Sequence, residues 1–375
     1  MAASVSSALL LLLNIAGALL SPRAPPTLAP TPATLAVAGD AEDVDFLFLP
    51  FLVLYKSGRV VRFMGTDTVP ASTDPATGVA SRDVVIDADA GLAVRLYMPN
   101  VANLTAGERG RSGKLPLVVY YHGGAFVTES AFSPTYQRYL NALASKAGVL
   151  AVSVEYRLAP EHPLPRAYDD AWAALRWVLE NARSSGPEPW LSRHADVTRL
   201  FLVGDSAGGN IAHNTAMRAG REGLHGGATV RGMVLLDPYF WGKRPVPSET
   251  RDPAARRWQE RTWGFVCAGR YGVDDPVIDP VAMPREEWWR LRRARVLVTV
   301  AALDALSARG RAYVEAIRAS GCAGEAALYE TPGERHVYFL LEPDGEKAAK
   351  EMEAVVAFIN GDQRTTASRM DASTG

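Results

Sequence analysis

Residues 200–210 read LFLVGDSAGGN, an apolar run that passes directly into a serine flanked by glycines. The segment GDSAG has the Gly-x-Ser-x-Gly form, and the residues after it have helical spacing. A tight turn between a strand and a helix presents a serine hydroxyl at the carboxyl edge of a sheet, and glycines permit such a turn because they lack a Cβ atom. We therefore predict that Ser206 is a nucleophile. The alternative is an ordinary serine in a glycine turn.

A second glycine motif, HGGAF at residues 122–126, follows the apolar run Leu117–Tyr121. Small residues let backbone N–H groups approach a substrate oxygen, which gains negative charge during acyl transfer. We expect the N–H groups of Gly123, Gly124 and Ala207 to form this oxyanion hole. The histidine of the motif is interpreted as orienting the loop rather than transferring protons.

The remaining catalytic partners are expected downstream, because on a strand-turn-helix scaffold of this kind an acid and then a histidine follow the serine. His336 comes after the last predicted strand, and Asp304 follows the strand before it. His336 is predicted to be the base, with Asp304 holding its imidazole in the productive tautomer. Asp237, which follows another strand, is the rival acid, and a helix N-cap is the alternative role of Asp304. His213 and His225 are less well placed.

Short apolar runs alternate with helical stretches from about residue 85 onward. This order predicts an α/β fold: one domain with a mostly parallel central sheet and helices on both faces. The runs contain few polar residues because a central strand buries both of its faces. The predicted strands are Val94–Tyr97, Leu117–Tyr121, Val149–Val154, Leu200–Val203, Gly232–Leu236, Val296–Ala301 and Ala326–Glu330. The predicted helices are Tyr168–Ala182, Ala207–Arg218, Ala308–Ala319 and Glu346–Ile359, with surface loops at Ser184–Pro189 and Pro245–Pro253.

The charge balance limits the classes of partner. The chain has 40 Lys and Arg against 41 Asp and Glu, a net charge of -1, so no broad positive surface is expected for nucleic acid. A small molecule is the expected partner, and the oligomeric state is left open. Two cysteines and six scattered histidines do not predict a metal site. Cys267 and Cys322 are expected to be two buried free thiols, with one disulfide as the alternative.

The first forty residues differ from the rest of the chain. Ala8–Leu20 is apolar apart from one asparagine, too short for a membrane span and typical of a signal-peptide core. No Lys or Arg precedes it, and a composition without acidic residues before Asp40 also fits a plastid transit peptide or an untargeted disordered extension. The compartment is therefore left open between the secretory pathway, the plastid and the cytoplasm. We divide the chain into this leader (1–40), a main domain (41–361) and a disordered tail (362–375), and we expect no stable membrane span.

Together the motifs resemble the plant carboxylesterases of the hormone-sensitive-lipase-like branch of the α/β-hydrolases, the family that also includes the gibberellin receptor. The similarity spans roughly residues 43–360 and includes YRLAPEHPLP at 156–165, DPYFWG at 237–242 and GVDDP at 272–276. The resemblance implies an α/β-hydrolase fold and a cap that includes the segment from Phe46 to Arg62. It also implies a triad, an oxyanion hole and no metal or organic cofactor. The implied site residues are Ser206, Asp304 and His336 for the triad and Gly123, Gly124 and Ala207 for the oxyanion hole.

Two positions separate the branches of this family. Receptor members resemble the chain but lack the catalytic histidine, and a dehydratase branch carries threonine in place of the nucleophilic serine. His336 and Ser206 therefore favour a serine carboxylesterase that hydrolyses small carboxylic esters through an acyl-enzyme. The alternatives are a non-catalytic, hormone-type receptor that uses the same pocket and a lyase or acyltransferase.

Several side chains near the motifs are candidates for substrate contacts. Arg335 stands where relatives usually carry a small residue. Near the site, its guanidinium is expected to lower the pKa of His336 or to contact an acidic substrate. The alternative is an arginine that faces solvent. Five aromatic residues are candidates for lining an apolar ester pocket, with ordinary core packing as the alternative. They are Phe126, Tyr239, Phe240, Trp241 and Tyr338.

Overall fold

The computed structural model describes residues 43–103, 113–291, 294–321 and 325–361. The predicted leader, the predicted tail and Cys322 lie outside these residues, whereas Cys267 is a buried free thiol. The strands are β1 (Val44–Phe48), β2 (Leu52–Tyr55), β3 (Val60–Arg62), β4 (Ala80–Asp87), β5 (Leu92–Met98), β6 (Leu115–Tyr121), β7 (Leu150–Glu155), β8 (Ala195–Asp205), β9 (Val230–Leu236), β10 (Arg295–Ala301) and β11 (Glu325–Thr331).

The α-helices are α1 (Pro134–Ala147), α2 (Arg166–Asn181), α3 (Pro189–His194), α4 (Ala207–Glu222), α5 (Pro253–Val266), α6 (Ser307–Ser320), α7 (Tyr338–Leu341) and α8 (Glu346–Asn360). Short 3₁₀ segments cover Val101–Asn103, His225–Gly227, Pro280–Ala282 and Arg285–Leu291. None of the helices in the described ranges is long and apolar enough to cross a membrane.

Eight strands form one sheet in the order β11-β10-β9-β8-β6-β7-β5-β4. The neighbouring pairs from β11 through to β7 are all parallel. At the other edge, β5 pairs antiparallel with β7, and β4 pairs antiparallel with β5. The carboxyl ends of the parallel strands therefore meet at one edge of the sheet, which is where ligand sites form in open α/β folds. The predicted mostly parallel α/β fold is confirmed.

Helices cover both faces because the side chains of each central strand alternate between two apolar cores. Val118 and Tyr120 of β6 lie in the core beneath α1 and α8, whereas Leu117, Val119 and Tyr121 lie in the core beneath α2, α4 and α6. Successive strand residues point to opposite faces, so an uninterrupted apolar run serves both cores.

The predicted cap is a small antiparallel sheet of β1, β2 and β3 that packs on α5. Phe46 stacks on Phe265 of that helix with ring centroids 4.1 Å apart, and Phe48 lies edge-on to it at 6.1 Å. Such aromatic pairs stabilise an interface beyond the area they bury. The cap is thereby fixed over the carboxyl edge of the main sheet.

The predicted elements match the observed ones with shifted ends, and the structure adds several others. The strand predicted from Leu200 begins earlier, at Ala195, because its first residues pair with Leu115 and Pro116 of β6. The buried face of α8 includes Ala348, Met352 and Val355, whereas Ala349 and Val356 are half-buried. The sequence patterns did not predict β4 or the helices α1, α3, α5 and α7. Helices α1 and α5 each begin with proline behind a capping side chain, Ser133 and Asp252, which is a recognised start signal.

Helix α4 approaches β6 through a glycine. A Cβ atom at Gly208 would lie 1.9 Å from the carbonyl oxygen of Tyr121. Glycine is therefore required at this position, because only a residue without a side chain allows the two backbones to lie so close.

We predict opposite effects for two glycine-to-alanine changes. Gly208→Ala lowers the free energy of unfolding by more than about 2 kcal/mol, because its methyl group overlaps the backbone of β6. Gly264→Ala in α5 is the matched control: no atom lies within 4 Å of its Cβ position, and alanine raises stability by about 0.5–1 kcal/mol through helix propensity. Urea unfolding measures both, and equal midpoints for the two variants would contradict the close-approach argument.

Candidate active site

Ser206 occupies the turn between β8 and α4. Its backbone has φ 50° and ψ -118°, a region that residues with a side chain rarely adopt. Backbone strain of this kind persists only where the surrounding structure enforces it, and it is concentrated at functional sites. The turn leaves the hydroxyl of Ser206 at the carboxyl edge of the sheet, in the wall of a cavity.

The structure brings Ser206, His336 and Asp304 together. The Nε2 atom of His336 lies 2.9 Å from the Oγ atom of Ser206, and its Nδ1 atom lies 2.7 Å from Oδ2 of Asp304. The other oxygen of Asp304 accepts a hydrogen bond from the N–H of Leu306 at 2.9 Å. The acid therefore has both oxygens engaged, and it fixes the orientation of the imidazole toward the serine.

The imidazole of His336 is surrounded by carboxylates. Burial by itself lowers the pKa of His336, but Asp304, Asp237 and Asp205 favour the charged imidazolium, and the pKa is raised to about 9. The arrangement stabilises the positive charge that His336 acquires when it takes a proton. It also means that the neutral, proton-accepting form becomes dominant only in alkaline solution.

Asp237, the rival acid, has a different set of partners. Its Oδ1 atom accepts a hydrogen bond from the N–H of Ala301 at 2.7 Å, and its Oδ2 atom accepts one from Val337 at 2.8 Å. These amides belong to the strand that leads into Asp304 and to the residue after His336. Burial and the charge of Asp304 raise the pKa of Asp237 well above its usual range. Asp237 thus connects the two loops that carry the acid and the histidine.

The predicted oxyanion hole is corrected at one residue. The N–H of Gly123 is already engaged: it donates to the hydroxyl of Tyr136 at 2.8 Å and to Asp205 at 3.0 Å. Gly124 and Ala125 line the cavity instead, and both have positive φ, 99° and 53°. No hydrogen bond among the described residues occupies their N–H groups. Ala207 is the first residue of α4, so its N–H has no partner within the helix.

Asp205 is a residue of the candidate site that the sequence patterns did not single out. It is fully buried, and its two oxygens accept hydrogen bonds from Tyr120 at 2.8 Å, from Tyr136 at 2.9 Å and from the N–H of Gly123. Burial raises the pKa of Asp205 to about 6, although these hydrogen bonds oppose the shift. Asp205 therefore ties the glycine loop to the turn that carries Ser206. Its position directly before the serine was the available signal.

The other histidines have structural surroundings. His122 is buried, stacks on Tyr156 at 4.2 Å and bonds through Nδ1 to the carbonyl of Gly123, and burial lowers its pKa to about 4. His213 bonds to the hydroxyl of Tyr313 in the core, where burial lowers its pKa to about 3. His225 lies in a 3₁₀ segment on the surface.

A cavity of about 210 Å³ opens onto Ser206 and His336. Most of its wall is apolar, and the cap, α5 and α7 contribute Phe48, Leu49, Phe51, Met64, Trp258, Leu340 and Leu341. Its polar wall residues away from the triad include Thr128, Glu129, Thr135, Gln259 and Thr262. Among the described residues, no lysine or arginine lines this cavity.

Of the five aromatic residues predicted to line the pocket, only Tyr239 does so. The other four are core residues. A position next to a motif in the sequence does not determine the direction in which an aromatic ring points. Phe126 packs against Tyr168 and Trp263, Phe240 stacks on Tyr313, Trp241 lies under Arg256, and Tyr338 donates to Glu351. Arg335 is exposed and is not part of the cavity wall, which agrees with the solvent-facing alternative.

One group of described residues has the atom types of a metal site. Ligand atoms of Asp237, Asp304 and His336 lie within 4.8 Å of one another. Both oxygens of Asp237 accept backbone N–H groups, and both nitrogens of His336 are engaged with side chains. The geometry is that of a hydrogen-bonded array built around the histidine.

Comparison with known proteins identifies the family. Residues 118–340 match the family model of the alpha/beta hydrolase fold. The chain belongs to this family. The predicted membership of the α/β-hydrolases is confirmed, and the protein is an esterase-like enzyme of that fold.

Individual relatives of this α/β-hydrolase differ in activity. This chain is 44% identical over 323 residues to probable carboxylesterase 13 of Arabidopsis thaliana, and the alignment covers 84% of this chain and 98% of the relative. It is 42% identical over 325 residues to a 2-hydroxyisoflavanone dehydratase of Glycyrrhiza echinata, covering 85% and 97%. Among solved structures, an esterase of Pyrobaculum calidifontis superimposes with a TM-score of 0.58 at 28% identity, covering 75% of this chain and 84% of that one.

The raised pKa of His336 predicts an alkaline activity profile for the α/β-hydrolase. If His336 is the base, only its neutral form accepts the proton, so kcat/KM rises about tenfold per pH unit below the pKa and levels off near pH 9. Initial rates of p-nitrophenyl acetate hydrolysis between pH 6 and 10, corrected for spontaneous hydrolysis, measure the profile. A plateau already reached at pH 7 would contradict the assignment.

A change at Asp237 is predicted to move that profile. Asp237→Asn removes a negative charge beside His336, so the pH at which kcat/KM levels off becomes lower. The two oxygens of Asp237 accept the N–H groups of Ala301 and Val337, and asparagine replaces one of these oxygens by an NH₂ group. The loops that carry Asp304 and His336 are then misplaced, so kcat falls about tenfold. Glu351→Gln is the control: this buried carboxyl bonds to Tyr338, and its loss leaves the profile in place. Identical profiles for Asp237→Asn and the wild type would refute the electrostatic coupling.

Proposed function

We propose that the protein is a serine carboxylesterase that hydrolyses small carboxylic esters. The observation that carries the proposal is the pair of contacts at His336: 2.9 Å to the hydroxyl of Ser206 and 2.7 Å to Asp304. A serine hydroxyl is a weak nucleophile, and a base at this distance, itself oriented by an acid, is what activates it.

In the proposed acylation step, Nε2 of His336 accepts the hydroxyl proton of Ser206 while Oγ attacks the ester carbonyl carbon. The carbonyl oxygen becomes an oxyanion and receives hydrogen bonds from the N–H groups of Gly124, Ala125 and Ala207. His336 then gives the proton to the leaving alcohol oxygen as the carbon–oxygen bond breaks, which leaves an acyl group on Ser206.

Deacylation repeats these roles with water. His336 accepts a proton from a water molecule that attacks the acyl carbon, and the same N–H groups stabilise the second tetrahedral intermediate. Collapse of this intermediate releases the carboxylic acid, and His336 returns the proton to Ser206. Throughout, Asp304 stabilises the imidazolium.

The apolar wall supports an ester substrate. Phe51, Trp258 and Leu341, with their neighbours, surround the serine with hydrocarbon, which favours binding of an uncharged acyl or alcohol group and excludes water from the oxyanion hole. The volume of about 210 Å³ favours short or compact groups.

Elimination is the second candidate, and the similarity to a dehydratase favours it. The same base then removes a proton from carbon rather than from Ser206, and no acyl-enzyme forms. Product analysis by mass spectrometry separates the two chemistries, since hydrolysis gives a free acid and an alcohol whereas elimination gives an unsaturated product and water.

The test of the esterase proposal is hydrolysis of p-nitrophenyl acetate and butyrate by purified protein. We expect Ser206→Ala to lower kcat by roughly 10⁴-fold or more, because the nucleophile is lost. A fluorophosphonate probe is expected to modify Ser206 in the wild type, as peptide mapping reports. Ser184→Ala, at an exposed serine in the loop after α2, is the matched control and keeps full activity and labelling. Equal turnover by wild type and Ser206→Ala would rule out the proposed nucleophile.

A further inference from the structure

One carboxyl group in the cavity wall has no role in the proposed esterase mechanism. Glu129 lines the same cavity as Ser206 and His336. Its Oε2 atom is buried and has no hydrogen-bond partner among the described residues. A buried polar atom without a partner is costly, and such an atom in the wall of a cavity is available to a hydrogen-bond donor that enters it.

The backbone holds Glu129 in place from two sides. Its φ is 72°, a left-handed conformation that is unusual for a residue with a side chain. Within the loop, the N–H of Thr128 donates to the carbonyl of Gly124 at 3.1 Å. From the cap, the carbonyl of Met64 accepts the hydroxyl of Thr128 at 2.5 Å, and a Cβ atom at Gly65 would lie 2.8 Å from the nitrogen of Glu129. The carboxyl is therefore mounted on a fixed backbone beside the proposed oxyanion loop.

The electrostatic surroundings of Glu129 contain no compensating cation in the described part of the chain. No lysine or arginine of the described residues lines the cavity. Burial, with the carboxylates of Asp205 and Asp67, outweighs the hydrogen bond from Ser133, so the pKa of Glu129 is raised to about 7. An anionic substrate group is disfavoured in such a cavity. A hydrogen-bond donor on a neutral substrate, in contrast, satisfies the vacant oxygen.

The number of vacant acceptors favours a hydroxyl over an ammonium group. A hydroxyl donates one hydrogen bond, whereas a primary ammonium carries three donors that must all be satisfied once water is removed. The side chain of Ser133 forms a hydrogen bond with the carboxyl of Glu129, and Oε2 is buried without a partner among the described residues. The nearby wall is otherwise mainly hydrocarbon.

We propose that Glu129 is a specificity-determining residue that accepts a hydrogen bond from a hydroxyl group of the substrate. The substrate class is then a neutral ester that carries a free hydroxyl in its alcohol or acyl half, in preference to a simple alkyl ester. This inference rests on the proposed esterase function and adds to it the class of ester.

The experiment uses two substrate pairs that differ only by hydroxyl against methyl. For the alcohol half the pair is 2-hydroxyethyl butyrate and propyl butyrate; for the acyl half it is p-nitrophenyl 3-hydroxybutyrate and p-nitrophenyl 3-methylbutyrate. The ratio of kcat/KM within each pair is divided by the ratio of the alkaline hydrolysis rate constants, which removes differences in intrinsic reactivity. The pair that shows the preference identifies the half that carries the hydroxyl.

For the wild type we expect a preference of about tenfold to a hundredfold for the hydroxyl member of one pair. Glu129→Met removes the acceptor at similar volume, and the preference falls to within about twofold. Glu129→Gln keeps an amide oxygen in place and retains part of the preference. Thr135→Val is the matched control, since it removes another hydroxyl from the same wall and leaves the ratio as in the wild type. Each ratio is internal to one protein, so it does not depend on the folded fraction of a variant.

Three results would overturn the inference: wild-type ratios near one in both pairs, a ratio that survives Glu129→Met, or a ratio that collapses in Thr135→Val. In each of these cases Ser206-dependent hydrolysis of p-nitrophenyl acetate would leave the esterase proposal intact. If that hydrolysis is itself missing from the wild type, both proposals fail together. The two failures are therefore distinguishable.

Discussion

The backbone of Gly208 lies so close to the carbonyl of Tyr121 that no side chain fits between helix α4 and strand β6. This contact sets the position of the candidate active site, because the two glycine motifs lie on its two sides. It brings the amino end of α4, with Ser206 and the N–H of Ala207, against the loop that carries Gly124 and Ala125. Side-chain size at one position thus decides whether the proposed nucleophile and the proposed oxyanion donors share a cavity.

A second constraint is the concentration of buried carboxyl groups around one histidine. Asp205, Asp237 and Asp304 all favour the protonated form of His336, yet each also has a separate set of hydrogen bonds to backbone or tyrosine groups. These hydrogen bonds compensate for burial and fix the loops that meet at the carboxyl edge of the sheet. The same groups therefore determine both the geometry and the proton affinity of the base. Mutation of any one is expected to change both properties together.

Sequence reasoning identified what depends on residue type and order along the chain. The central strands were recognisable because a strand buried on both faces has few polar residues, and Ser206 and Asp304 each follow such a strand. His336 follows β11, the half-buried strand at the edge of the sheet. The cap was expected only through resemblance. Its strands and β4 are short or half-buried, so their hydrophobic pattern is weak. Helices α1 and α5 each begin with a capping side chain followed by proline, a start signal that is local and therefore readable from the sequence.

The sequence did not indicate which backbone N–H groups and which aromatic side chains face the cavity. Gly123 and Gly124 are the same residue type in adjacent positions, yet only the structure distinguishes the amide bound by Asp205 from the one at the cavity. The same holds for Tyr239 and Phe240, of which one lines the cavity and the other packs on Tyr313. These choices depend on tertiary contacts from distant segments, which local spacing does not encode.

Side-chain contacts of Arg62 hold the cap against the proposed oxyanion loop. Its Nε atom donates to the carbonyl of Val127 at 2.6 Å, and its guanidinium forms an ion pair with Glu161. Together with the Thr128–Met64 bond, this contact joins the cap to the two residues that directly follow HGGAF. A cap that closes over a substrate therefore acts on the backbone that carries Gly124, Ala125 and Glu129. Substrate contacts at the cap and at Glu129 then influence the position of the proposed oxyanion donors, because only a few covalent bonds separate them. Binding energy from the non-reacting part of an ester is in this way available to order the reacting part.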